Sequence, residues 1–66
     1  MTLELSLEEA RFLSSHLARH IDQVDAELVH TDSRALQREI VQDLDHLRAI
    51  ARKLERLIDA DEAAAA

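Results

Sequence analysis

His16 and His20 stand four residues apart in a stretch of helical composition, which places two imidazoles one turn apart on a single face. That spacing can chelate a divalent cation. Asp43 and His46 follow farther along, and a second helix folded back on the first would set them beside the pair. Histidines and a carboxylate together make a ligand set for a divalent metal, although the chain has no HExxH pattern. A competing reading needs no metal. In it the histidines edge an interface, and Asp43, close to an apolar stripe, is hydrogen-bonded to His20 or His46 because an unpaired charge there would be costly. The second reading is preferred, so no cofactor is expected, and His16, His20, Asp43 and His46 stay as the candidate ligands.

The pattern around these residues defines the elements that must position them. Ser6-Leu7-Glu8-Glu9 is a capping box, with Leu5 and Ala10 at the staple positions, so a helix should begin at Leu7. Its inner stripe, Ala10, Leu13, Leu17, Ile21, Val24 and Leu28, has the period of a straight α-helix and carries it to about residue 30. A second stripe, Leu36, Ile40, Leu44, Leu47, Ala51, Leu54 and Ile58, predicts a helix over about 33–60. Between them His30, Thr31, Asp32 and Ser33 interrupt the apolar spacing without Gly or Pro. Thr, Asp and Ser compete for backbone groups inside helices and serve well as N-caps. The stretch therefore reads as a tight turn rather than a kinked continuous helix, with Asp32 or Thr31 capping the second helix and His30 in the last turn of the first. Residues 1–6 alternate polar and apolar and read as a short extended arm, while residues 61–66, with nothing to pack, should fray.

The whole is one all-α domain over residues 1–66, an antiparallel two-helix hairpin. Sixty-six residues with no cysteine cannot be stapled by disulfides, and chains this short usually need a partner or a metal. Ile50 and Leu57 widen the second stripe beyond one face. A homodimer forming a four-helix bundle would cover that width. If the turn centres near residue 31, residues whose numbers sum to about 62 lie level, and rotation of ~100° per residue sorts the flanks. Phe12, His16, His20, Asp43, His46, Ile50 and Leu57 then share one flank, the expected interface with a second copy or another protein.

Arg34, Arg38, Arg48, Arg52 and Arg56 line the outer face of the second helix. Such a stripe could meet nucleic-acid phosphates, as in Rop-like hairpin dimers. However, Asp45, Glu55 and Asp59 lie at i+3 spacing from arginines, no aromatic is interleaved for stacking, and the net charge is −6. A solvated, ion-paired face is the preferred account. Nothing resembles a nucleophile elbow or a phosphate-cradling loop, so no enzyme is expected. The acidic chain carries neither a signal-peptide pattern nor a membrane-spanning run, and is read as cytoplasmic.

The stretches "LELSLEEARFL" and "AELVHTDSRALQREI", with the leucine-rich segment after them, resemble a family of short bacterial proteins of unassigned function. Glu27, His30, Thr31, Asp32 and Arg34 match its central motif, while Leu36 and Gln37 stand where aromatic and basic residues are common. The resemblance spans roughly residues 3–58 and implies a helical hairpin. A salt bridge between Glu27 and Arg34 across the turn is the expected reason for their place in the motif. The functional expectation is a small homodimeric interaction or regulatory module. A metal-binding protein and a nucleic-acid regulator are the alternatives.

Overall fold

Two capping devices, one at each helix start, delimit the fold. The computed structural model describes residues 1–65; Ala66 and the side chain of Ala65 lie outside the described residues. Helix α1 spans Leu7–Val29 and helix α2 spans Arg34–Ala65, folded back on one another as a helical hairpin. Residues 1–6 carry neither helix nor strand.

At the start of α1 the Ser6 hydroxyl accepts the Glu9 amide at 3.1 Å, and the Ser6 amide donates to Glu9 Oε1 at 2.9 Å. Both halves of the capping box are therefore closed, and two of the free donors at the helix start are satisfied. The Ser6 amide, and then its hydroxyl, hold the Glu9 carboxyl below its ordinary value of 4.5. A lowered folded-state pKa adds stability that is present above that ordinary value and is lost as pH falls through the lowered one. Replacing Ser6 with alanine should cost about 1 kcal/mol. Thermal melting by circular dichroism should read that as a midpoint about 4–8 °C lower, with the difference shrinking in acid. An unchanged midpoint at neutral pH would show the box to be idle.

The turn closes without glycine because side chains take over the work of a left-handed cap. His30 ends α1 at φ −98° and ψ 4°, and no described residue has a positive φ. The Thr31 hydroxyl donates to the Glu27 carbonyl at 2.6 Å, which also accepts the His30 amide at 3.2 Å. Gln37 reaches back from α2 to the Thr31 carbonyl at 2.6 Å. Ser33 caps α2, accepting the Leu36 amide on its hydroxyl at 3.3 Å and the Gln37 amide on its carbonyl at 2.9 Å. Thr31 and Asp32 are thus not the N-cap, and α2 begins at Arg34, one residue later than expected. Thr31 is committed to α1 and Ser33 has the spacing to reach the first turn.

α2 also runs on past residue 60, to Ala65. Ala and Glu are among the best helix formers, and Arg11 donates through Nε at 3.1 Å, and through Nη2, to Glu62. Packing between the helices follows a stricter period than the apolar residues alone suggest. On α1 the buried and half-buried positions are Leu7, Ala10, Ser14, Leu17, Ile21, Val24 and Leu28, continued by Thr31; on α2 they include Gln37, Ile40, Leu44, Leu47, Ala51, Leu54 and Ile58. Spacings of three and four alternate throughout, the heptad signature of coiled-coil packing. Ser14 and Gln37 occupy the seam where Leu13 and Leu36 were expected, and those two leucines are exposed. Position on the helix overrides side-chain type.

The molecule measures 48 × 23 × 15 Å. Its length is that of α2 at ~1.5 Å per residue, and its thickness is little more than one helix with side chains. A single layer leaves most seam residues only half-buried, and among the described residues Ala10, Ile40, Leu44 and Leu54 alone are buried hydrophobics.

Candidate functional site

Two ion pairs join the helices of the hairpin. Arg11 meets Glu62, and Arg48 meets Asp25 at 3.8 Å. Both partners in α2 lie farther along the helix than a turn centred at residue 31 would put them. The long arginine side chains absorb part of that offset, and the rest is a shift of register towards the C-terminal end of α2. Both pairs occupy one flank. By rotation of ~100° per residue, the arginine stripe of α2 lies there as well.

The i+3 pairs expected of Asp45, Glu55 and Asp59 do not form among the described residues, and Arg48 turns to α1 instead. Exposed pairs gain only ~0.2–1 kcal/mol and must hold two flexible side chains still. Nor does Glu27 bridge to Arg34. Glu27 serves through its main-chain carbonyl, which accepts from Thr31 and His30.

The opposite flank has neither ion pair. His20, Asp43, Ile50 and Leu57 project there, with His16 and His46 farther round, and all are exposed. Phe12 lies on the outer face of α1, nearly opposite the seam and not on the flank where it was expected. It meets this flank only through His16, their ring centroids 4.3 Å apart and tilted by 42°. Phe12 is 68 % exposed, Leu57 67 % and Ile50 51 %. Ile50 and Leu57 are large apolar side chains held open beside a seam that is itself only partly closed.

The candidate ligands are not gathered into a metal centre. Among the described residues no three His, Asp or Glu side chains come together to hold an ion. The register shift moves Asp43 and His46 towards the hairpin tip and away from His16 and His20. Asp43 makes no hydrogen bond or ion pair among the described residues and stands in solvent, one position outside the inner seam. The pairing with His20 or His46 is therefore absent within one chain. Glu27 and His30, three residues apart at the end of α1, have no third donor beside them among the described residues.

A groove of about 490 Å³ runs between the N-terminal arm and the far end of α2, walled by Leu3, Leu5, Leu7, Leu54, Leu57 and Ile58. It joins the apolar flank at Leu57. A second hollow of about 500 Å³ lies near the tip on the charged flank, between Leu28, Val41, Arg34 and Arg38. The outward turn of Leu13 and Leu36 was missed from the sequence. The alternating three-and-four spacing through Ser14 and Gln37 was the signal that could have revealed it.

No helix among the described residues is long and apolar enough to cross a membrane. The chain matches no family model, no curated protein and no solved structure at a significant level.

Proposed function

We propose that the protein is an interaction module that works as a homodimer, two hairpins closing into a four-helix bundle over the apolar flank. The observation that carries this reading is the surface left open. The hairpin exposes 5541 Å², where a compact chain of 7.5 kDa exposes roughly 4,200 Å². The excess is about 1,300 Å², and a standard interface covers ~800 Å² of each partner. A second copy is thus large enough to cover the open side and to leave the arm and the arginine flank free for a further partner. The concentration of exposed large apolar residues opposite the ion pairs supports the same reading.

Light scattering at micromolar concentration should return twice the chain mass of 7.5 kDa, and the melting midpoint should rise with protein concentration. A monomer mass with a concentration-independent midpoint would overturn the proposal.

A further inference from the structure

The inner seam of α2 runs through Gln37, Ile40, Leu44, Leu47, Ala51, Leu54 and Ile58. A second series starts one residue earlier, at Leu36, Asp43, Ile50 and Leu57, seven residues apart. Together with Ile40, Leu47 and Leu54 it makes another alternation of four and three. α2 therefore carries two overlapping heptad seams, the pattern of a helix with two helical neighbours. One neighbour is α1. The other seam is open, with Leu36 47 % exposed as well as Ile50 and Leu57. The equivalent series on α1, Leu13, His20 and Glu27, is mostly polar, so α2 leads any docking on this side.

Charge along the outer edge of the open seam specifies the direction. Seven residues apart stand Glu39, His46 and Lys53, an acid towards one end and a base towards the other. None of them makes an ion pair among the described residues. From the overlapping seams and this order of charge we infer that α2 docks antiparallel on α2 of a second copy, with the two-fold axis near His46. The inference rests on the homodimer reading and adds its orientation and register.

In that arrangement Glu39 of each copy lies within reach of Lys53 of the other, and both pairs form at once. Leu36 falls near the level of Leu57 of the second copy. Asp43 is offset from its own counterpart by about 9 Å along the axis. A parallel two-fold pairing sets Asp43 directly against Asp43, an acid against an acid at a core position, and leaves Glu39 and Lys53 about 21 Å apart along the helix. Like charges in register oppose that alternative.

The chain has no cysteine, so introduced thiols report orientation without background. L36C and L57C should each remain uncrosslinked by a short bis-maleimide, while an equimolar mixture gives a crosslinked dimer. E39K and K53E should each weaken the dimer by about tenfold, and the E39K/K53E double variant should recover it. Self-crosslinking of L36C would overturn the inference in favour of a parallel pair. A dimer by light scattering with no crosslink in the mixture and no recovery in the double variant would place the interface elsewhere. That result overturns the orientation while leaving the homodimer intact, whereas a monomeric wild type removes both.

Discussion

Replacing Leu44 with alanine should unfold the hairpin at room temperature in dilute buffer. Leu44 is 2 % exposed, the most enclosed of the buried hydrophobics, and it sits in the inner seam of α2 between Ile40 and Leu47. Removing a buried leucine side chain costs about 2–5 kcal/mol, towards the upper figure where the surroundings cannot collapse into the space. A chain of this size gains at most about 3–5 kcal/mol of stability from its own core. The loss is therefore comparable with the whole. Helical ellipticity at 222 nm should fall well below that of the parent, and urea should give no cooperative transition. The control is Leu36→Ala, which removes the same atoms from a site that is half open within one chain. Its cost to the isolated hairpin should be a fraction as large. Equal losses from the two substitutions, compared at a chain concentration low enough to hold the protein as a monomer, would place Leu36 in the intrachain seam, where apolar spacing first suggested it, and would contradict the heptad register through Gln37.

That contrast marks how far the sequence could be read. Both helices, the capping box at Ser6 and Glu9, and a turn near His30 to Ser33 were legible because local chemistry decides them: a hydroxyl three residues before a carboxylate, and a polar run between apolar stripes. The register was not legible. It depends on how the two helices settle against each other, and nothing in the turn residues measures that. The choice between Leu13 and Ser14, or between Leu36 and Gln37, was read from hydrophobicity, whereas the packed hairpin decides it from angular position. Glu27 was misassigned for a related reason. A charged residue in a motif invites a search for an opposite charge, yet its contribution to the turn is a carbonyl oxygen that any residue would supply. Asp43 was judged too close to the apolar stripe to stand alone, and in a single hairpin it meets water. Its location in the open seam of α2, flanked by Leu36 and Ile50, becomes a constraint only when a second helix covers it.

Ile50→Glu combined with Leu57→Glu separates a hairpin that stands alone from one that is half of a bundle. In an isolated hairpin both positions are exposed, and glutamate is at least as good a helix former as isoleucine. Surface substitutions of this kind usually stay within about 0.5 kcal/mol, so a monomer would melt almost unchanged. In a bundle the same side chains are buried between copies, and two glutamates on each would be desolvated without partners, at a cost of several kcal/mol per dimer. The expected result is a mass equal to one chain, a melting midpoint lower by 10 °C or more, and loss of its dependence on concentration. The substitutions also raise the negative charge of a chain already at −6, so the measurement should be repeated at high salt, where repulsion between copies is screened. Dissociation that persists there comes from desolvated carboxylates at the interface. Dissociation that salt reverses comes from net charge alone and would leave Ile50 and Leu57 without a role in assembly. Arg52→Glu on the charged flank serves as a further control. It adds negative charge to the same helix on the side away from the open seam, and the dimer should tolerate it.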